Sequence, residues 1–394
     1  MDFNIKKHTN LIAIGIVLLV VIGITAQNIL LTNLGYDSVF HSFYNNFIIF
    51  RNSYFHLLSN ENLFIHYPEI QGDLYKYSPT FALLFGLFAY FPDAVGLFLW
   101  NVLNGIVFYA LWQLKLPAVK NKLWIVGFVL VEFITSIQNS QSNGLMAGLM
   151  IMAFVFYERK NVALATLMIM LSVYIKIFGV VAFALFLLYP NKWKSIAFGA
   201  LWMVILFVLP LIVVSPEQLW VQYHNWFEML VNDKAVAYSP SVVGWLKSWF
   251  NFTPSSSVIL GMGVLLFMAP FAQIRKYNLL KFRQLILASI LIWVVIFNHK
   301  AESPTFIIAI SGVAIWFFSQ KINPVNFVLL MITLIFSQLS PTDLFPASVK
   351  EAFLYKYVIK VVPVILVWVK ILYDSFFLNL ENELPELGKV PDSN

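Results

Sequence analysis

LIAIGIVLLVVIGITAQNILL, residues 11–31, contains no charged side chain and is about as long as a helix must be to cross a bilayer. Lys6 and Lys7 precede it as in a signal peptide, but no small-residue cleavage site follows, so we interpret it as a retained anchor. Several later apolar runs are shorter than a full span and must borrow flanking residues or be partly re-entrant. They cover residues 94–114, 123–138, 143–157, 161–175, 178–190, 194–214, 256–273, 284–297, 304–319, 324–339 and 354–374.

The composition agrees with these runs, because 60% of the residues are hydrophobic and only 11% are charged, which excludes a water-soluble fold. We predict an all-α, polytopic transmembrane helical bundle of about 12 spans, forming one domain over residues 1–380. Residues 381–394 are predicted to be a disordered acidic tail. The chain has no cysteine, so disulfides and thiolate chemistry are excluded.

The net charge of +6 is better explained by membrane topology than by nucleic-acid binding, because the basic residues cluster at alternate turns between apolar runs. These turns are predicted to face the cytoplasm, together with both termini, in the cytoplasmic membrane. The basic clusters are Lys6/Lys7, Lys115/Lys120/Lys122, Arg159/Lys160, Lys192/Lys194 and Arg275/Lys276/Lys281/Arg283. The opposite, outer face is predicted to carry residues 32–78, 139–143, 215–250, 298–303 and 340–353.

One apolar stretch, residues 79–91, does not fit this alternation if residues 32–78 are outside and Lys115 is inside. We predict a half-span or re-entrant helix there, with Pro92 and Asp93 returning to the outer face. Irregular backbone at membrane depth is tolerated only where protein or a water-filled cavity covers it, so this element is expected to line a site.

The first outer loop, residues 32–78, combines many ionisable groups with aromatic residues at helical spacing. This pattern predicts amphipathic helices at the membrane surface. A purely structural cap is one interpretation of the loop. The other is an active site at the membrane edge, where a lipid-linked substrate emerges and aromatic faces offer platforms for sugar rings.

Several motifs resemble glycosyltransferase family 87, which belongs to the GT-C superfamily. The block DLYKYSPTFALLFGLFAYFPDAVGLFLWNVLN, residues 73–104, is similar to the family's Tyr-x-Tyr-x-Pro … Leu-Trp-x-x-Leu-Asn pattern. NSQSNGL at 139–145 matches its Gln-x-Asn segment, IKIF at 175–178 its apolar-Lys motif, and NFIIFRNSYFHLLSNENLF at 46–64 its first-loop signature. The resemblance implies transfer of a hexose, often mannose, from a polyprenyl-phosphate sugar donor to a glycan or glycolipid acceptor on the outer face.

The resemblance places the first-loop aspartate of the family at Asn46, which cannot accept a proton at neutral pH. Either a neighbouring carboxylate is the catalytic base, or the alignment is shifted, or the chain is not a transferase of the usual type. Asp37, just after the first span, and Asp73, before the Tyr-Lys-Tyr block, are the two candidates for the base, with Asp37 slightly preferred. Either carboxylate is also compatible with a helix cap or a loop ion pair.

Lys176 is the strongest single candidate, because it interrupts an apolar stretch in which a lysine is costly unless it pairs or faces a polar cavity. It is expected to bind the donor phosphate, although snorkelling to the interface would also explain it. Lys76 and Arg51 are predicted to assist, with interfacial anchoring as the alternative. The candidate substrate-binding residues are Asn46, Tyr75, Tyr77, Asn139, Gln141 and Asn143, together with His299 and Glu302 from another outer turn.

Glu132 lies within an apolar run. An intramembrane carboxylate can act as a proton relay, so a lipid or oligosaccharide transporter or flippase is the alternative function. A third hypothesis is a non-catalytic relative that binds polyprenyl phosphate. The sequence has no glycine-rich phosphate loop and no zinc-site spacing, so no cofactor is predicted, and no motif supports a divalent metal at the outer carboxylates.

Overall fold

A computed structural model describes residues 2–35, 42–116, 119, 121–233, 239–253 and 255–378. Within these ranges the chain is helical and contains no strand, which confirms the predicted all-α class. Asp37 and the predicted tail, residues 381–394, lie outside the described residues. The described chain divides into two compact units, the first formed by residues 1–110, 133–180 and 193–235 and the second by residues 111–132, 181–192 and 236–394.

The first unit is built on packed helix pairs. Its helices are α1 (Asp2–Asn33), α2 (Asn45–Leu58), α3 (Pro79–Ala89), α4 (Asp93–Asn104), α7 (Asn143–Glu158), α8 (Val162–Ile175), α9 (Lys192–Val208) and α10 (Pro216–Asn232). Helix α7 packs against α8, α2 against α3, and α1 against α4. Helices α5 (Ile106–Gln113) and α6 (Leu123–Gln138) each have residues in both units. Helix α7 is buried over almost its whole length.

The helices of the second unit are α11 (Val242–Phe250), α12 (Ser256–Met268), α13 (Leu280–Ile296), α14 (Phe306–Phe318), α15 (Pro324–Ile332), α16 (Ala347–Val349) and α17 (Val362–Phe377). Helices α13 and α14 form its centre, since their residues are nearly all buried, and α17 packs against both. Two π-helical segments, Thr333–Leu339 and Lys350–Tyr355, continue α15 and α16.

Three helical segments of the described chain are long and apolar enough to cross a membrane: His8–Asn33, Asp93–Gln113 and Lys192–Ile212. A fourth results if Ala347–Tyr355 and Ile359–Phe377, which meet at a bend of 68°, are counted together. These segments indicate a membrane protein, but they do not confirm about 12 spans. The other apolar runs form shorter helices, since they are interrupted by changes of helix type or by tight turns.

The segment predicted to be a half-span forms the 11-residue helix α3. At about 1.5 Å of rise per residue this helix covers roughly half of the ~30 Å hydrocarbon core, so it is too short to cross alone. Ser78 caps its N-terminus by accepting a hydrogen bond from the Phe81 backbone N–H. Pro79 at the first position fits this start, because a proline needs no hydrogen-bond acceptor there.

The first outer loop contains one described helix, α2, and its aromatic face differs from the expectation. Phe47 and Phe50 are fully buried, and the Phe50 ring packs edge-on against Phe81, Phe85 and Trp100. These rings therefore form the internal packing between α2, α3 and α4, and they are not platforms for a sugar.

Candidate functional site

Lys176 lies at a break in the helical backbone. Helix α8 ends at Ile175, Lys176 has an extended conformation, and a 3₁₀ segment begins at Ile177. Gly179 lies so close to the backbone of Ser172 that a side chain at this position would collide with it. The break therefore depends on a glycine, and it turns the Lys176 side chain out of the regular helical register.

The Lys176 ammonium is held by neutral groups from two other segments. Its Nζ donates to Asn143 Oδ1 at 2.8 Å and to Gln141 Oε1 at 3.5 Å, and it lies 5.7 Å from the centre of the Tyr77 ring. Asn143 Nδ2 donates to Gln141 Oε1 at 2.7 Å, which fixes both amides. We call these four residues the lysine cluster. These three partners are electrically neutral groups, and they orient the ammonium.

The turn that carries Gln141 and Asn143 is held by two residues that are not among the predicted site residues. Trp100 Nε1 donates to the backbone oxygen of Ser140 at 2.9 Å, and Asn104 Oδ1 accepts from the backbone N–H of Leu145 at 3.0 Å. Ser140 adopts a left-handed conformation with φ of +52°. Trp100 and Asn104 are the Trp and Asn of the Leu-Trp-x-x-Leu-Asn motif, so that motif was the available signal for their role.

Tyr75 and Tyr77 connect the first outer loop to the lysine cluster. Tyr75 is buried, its hydroxyl donates to the backbone oxygen of Ser78 at 2.7 Å, and burial raises its pKa well above the ordinary value. Ser78 Oγ donates to the backbone oxygen of Tyr174 at 2.5 Å, close to Lys176 along the chain. The buried Tyr75 thus supports the turn before α3, and its role in substrate binding stays a prediction. Tyr77 offers its ring to the Lys176 ammonium.

Asn46 and Asn139 also come together. The Asn46 side-chain amide donates to the backbone oxygen of Asn139 at 2.8 Å. This bond joins the start of α2 to the turn that leads into Gln141. Asn46 therefore lies beside the predicted substrate-binding segment, and its contact is one that an aspartate could not make, because an ionised carboxylate has no hydrogen to donate.

Asp73 and Lys76 form an exposed pair with 3.8 Å between Asp73 Oδ1 and Lys76 Nζ. The same carboxylate oxygen accepts from the Leu74 backbone N–H at 2.7 Å. Helix α2 supports this loop, because Asn45 Oδ1 accepts from the Gly72 backbone N–H at 3.0 Å. Asp73 is thus accessible to solvent and held by its own turn, and its role as the base stays a prediction.

Arg51 is engaged in a pair that the sequence did not predict. Its guanidinium forms a salt bridge with Asp93 at the start of α4, and the Tyr44 hydroxyl donates to Asp93 Oδ2 at 3.0 Å. Burial and the neighbouring Asp93 carboxylate raise the pKa of Tyr44 to about 12. Arg51 therefore ties α2 to α4, and its role as a phosphate ligand stays a prediction.

The model of glycosyltransferase family 87 matches residues 75–341, well over half of the chain. The chain belongs to this family. The match includes the lysine cluster and its supporting residues Trp100 and Asn104, while Asn46, Arg51 and Asp73 precede it. A comparison with curated protein sequences finds no match.

The remaining predicted site residues belong to the second unit or are not described. Asp37 lies outside the described residues. His299 and Glu302 belong to the second unit, where Glu302 precedes a short 3₁₀ turn and its backbone N–H donates to Thr305 Oγ1 at 3.4 Å. Among the described residues, no three His, Asp or Glu side chains gather as a metal site would require.

Glu132 is part of a buried ion pair within the second unit. Lys360 Nζ donates to Glu132 Oε1 at 2.8 Å and to Ser303 Oγ at 2.7 Å, and it lies 4.8 Å from the centre of the Phe306 ring. Glu132 is fully buried. Lys360 follows directly on the bend between Ala347–Tyr355 and Ile359–Phe377, where Val358 has a φ of +50°. The pair thus fixes a broken helix.

Proposed function

We propose that this family 87 member transfers a hexose, with mannose as the first choice, from a polyprenyl-phosphate donor to a glycan or glycolipid acceptor on the outer face of the cytoplasmic membrane. The acceptor hydroxyl oxygen attacks the anomeric carbon of the sugar while the bond from that carbon to the phosphate oxygen breaks. The lipid phosphate leaves with the electron pair, and a carboxylate takes the hydroxyl proton.

The observation that carries this proposal is the lysine cluster. The phosphate gains charge as it leaves, and a positioned cation stabilises that charge most strongly where water is excluded. The Lys176 ammonium is pre-oriented by Asn143 and Gln141 and lies over the face of Tyr77. It also lies at a break in a helix, and broken helices in membrane proteins commonly surround ion and substrate sites.

Asp73 and Asp37 stay the two candidates for the base. Asp73 is supported by its exposure and by its position two residues before Tyr75 and four before Tyr77. Its partner Lys76 would assist with the phosphate, and the Asn46 amide would position the turn containing Asn139. In this proposal the carboxylate that the family usually has at the position of Asn46 is replaced by another one in the first outer loop.

The proposed topology is a GT-C-like bundle of about 12 spans, with both termini in the cytoplasm and residues 32–78 and 215–250 outside. The alternating basic turns support this orientation. The short helices support it only if flanking residues complete several spans or if some elements are re-entrant. The ion pair between Glu132 and Lys360 supports a structural role for Glu132, so we do not favour transport.

The test is a transfer assay with purified protein in lipid nanodiscs, using radiolabelled polyprenyl-phosphate mannose and a membrane glycolipid extract. We expect label in a new product, and a loss of about 100-fold to 1,000-fold in kcat for Lys176→Met, as for removal of other transition-state donors. Asp73→Asn and Asp37→Asn distinguish the two candidates, since only the substitution that removes the catalytic base should abolish transfer.

The matched control is Lys194→Met, which removes an exposed lysine outside the lysine cluster and should leave kcat unchanged. If no polyprenyl-phosphate hexose gives a labelled product with the wild type, the proposed function is wrong. If label transfers but Lys176→Met keeps full kcat, the enzyme stands and the assigned role of Lys176 falls.

A further inference from the structure

The first unit contains an open cleft of about 470 Å³ along helix α10. One wall is formed by Asn225, Glu228 and Asn232 of that helix, and the other by Asn62, Phe64 and Leu74 of the first outer loop. Positions 225, 228 and 232 are three and four residues apart, so they fall on one face of the helix. The family resemblance assigned no role to this face.

The two walls are fixed to each other by hydrogen bonds next to the cleft. Gln222 Nε2 donates to the backbone oxygen of Glu61 at 2.6 Å, and Gln222 Oε1 accepts from the Leu63 backbone N–H at 3.3 Å. Gln218 Nε2 donates to the backbone oxygen of Asn60 at 2.9 Å. Gln222 is fully buried. The cleft is thus bounded by rigidly joined elements, as pre-formed ligand sites usually are.

The lining has the chemistry of a saccharide site. Each asparagine amide offers two donors and one acceptor oxygen, which can serve neighbouring hydroxyl groups, and the Glu228 carboxylate accepts from hydroxyls. Phe64, Leu74 and Met229 add apolar surface for the C–H face of a sugar ring. The described lining residues include the carboxylates of Asp233 and of Glu228, whose Oε1 lies 3.3 Å from His224 Nε2, and none of them is a lysine or arginine that would bind a phosphate.

The cleft is connected to the proposed reaction centre within the same unit. The Phe64 ring lies 5.9 Å from the Tyr75 ring, Tyr75 lies 5.6 Å from Tyr77, and Tyr77 faces the Lys176 ammonium. Leu74 of the cleft wall directly follows Asp73. Trp226 Nε1 also donates to the backbone oxygen of Lys76 at 3.4 Å, which holds α10 beside this loop.

We propose that this cleft binds the sugar portion of the acceptor, a neutral and hydroxyl-rich saccharide, and directs one of its hydroxyl groups toward Asp73. This inference rests on the proposed transferase function, because only a transferase needs an acceptor there. It adds the place at which the acceptor binds and the requirement that this part of the acceptor carries no phosphate.

The test measures binding separately from transfer. Full-length protein in nanodiscs is titrated with neutral methyl disaccharides of mannose, glucose and galactose, and with the same disaccharides carrying one phosphate, by saturation-transfer NMR. We expect at least one neutral disaccharide to bind the wild type and to bind Asn225→Leu or Asn232→Leu about tenfold more weakly, the loss expected for one or two hydrogen bonds.

Two further variants distinguish a binding role from a structural one. Glu228→Gln should improve binding of the phosphorylated disaccharide severalfold, which a folding defect cannot do. Val231→Ala, on the same helix and exposed outside the cleft, should bind like the wild type. Lys176→Met should keep disaccharide binding and lose transfer.

The cleft assignment is overturned if no neutral disaccharide binds the wild type, or if both asparagine variants bind as tightly as the wild type. Disaccharide binding that depends on Asn225 in a protein without transfer activity would instead overturn the proposed transferase and leave a saccharide-binding cleft. The two failures are therefore distinguishable in one set of samples.

Discussion

Lys176 in the first unit and Lys360 in the second are both set at breaks between helical segments, yet their partners differ. Lys360 donates to a carboxylate, Glu132, and to the Ser303 hydroxyl. Lys176 donates to the amide oxygens of Asn143 and Gln141. A carboxylate neutralises an ammonium, whereas an amide only directs it. Lys360 is therefore part of a structural ion pair, whereas the amides that orient Lys176 are compatible with the anion-binding role proposed for it.

Removal of the Glu132 carboxylate, the partner of Lys360, should give the largest effect on stability. Glu132→Ala leaves the buried Lys360 ammonium without its counter-charge, and breaking such a pair costs about 3–5 kcal/mol. We expect a large drop in thermal unfolding temperature in detergent. Glu132→Leu combined with Lys360→Met should recover most of this stability. A Glu132→Ala protein with normal stability and no transfer activity would contradict the structural role of Glu132, because it would show that the carboxylate is needed for function.

The variant Asn143→Asp gives Lys176 a carboxylate partner of the kind that Lys360 has in Glu132. Asn143→Asp has almost the same shape and places a carboxylate against Lys176, so it should neutralise the ammonium. We expect kcat for transfer to fall at least about tenfold, since the charge that stabilises the leaving phosphate is lost, with the unfolding temperature unchanged or raised. Ser142→Ala, at the neighbouring position, is the control. Full activity in Asn143→Asp would show that the charge of Lys176 is not used.

Arg51 tests whether an arginine can also be assigned to an ion pair or to phosphate binding from its partner. It is paired with Asp93 in a partly exposed salt bridge, so Arg51→Met should destabilise the protein by about 1–2 kcal/mol, between the values for an exposed ion pair and for a buried hydrogen bond to a charged group. The value of kcat should not change in the fraction that stays folded. An Arg51→Met protein with normal stability and an increased KM for the donor would instead support Arg51 as a phosphate ligand.

His56 gives the smallest expected effect. It stacks on Tyr67 with 4.0 Å between ring centres, and burial lowers its pKa below the ordinary value of 6.5. The unfolded chain therefore binds the proton first, so stability is lost as the pH falls from about 6.5 toward the lower folded pKa. His56→Gln should flatten the unfolding temperature between pH 7 and pH 5.5. A profile equally steep in both proteins would contradict this.

The sequence predicted the helical class, the family and the candidate Lys176, because apolar composition and a costly lysine are local signals. It also selected Gln141, Asn143 and Tyr77, which meet Lys176 in the structure. The motif pattern around Trp100 and Asn104 was visible, but their role depends on a contact between α4 and the 140–145 turn that no local pattern shows.

Other features depended on contacts distant in sequence. Arg51 and Asp93 are 42 residues apart, and Lys360 and Glu132 are 228 apart. Hydropathy could not show that the run after Lys176 becomes a 3₁₀ helix or that the last apolar run bends at Val358. The first break depends on the close approach of Gly179 to the Ser172 backbone, and the second coincides with the left-handed conformation of Val358.

In the proposed mechanism the Lys176 ammonium binds the donor phosphate, whereas the Lys360 ammonium is held in an ion pair with Glu132. The most direct measurement is the affinity of a short-chain polyprenyl phosphate, without sugar, for the wild type, Lys176→Met and Lys176→Arg in nanodiscs, with the unfolding temperature recorded for each sample. We predict that Lys176→Met keeps a wild-type unfolding temperature but binds at least about tenfold more weakly, and that Lys176→Arg recovers part of the affinity. Equal binding by wild type and a folded Lys176→Met would contradict the account.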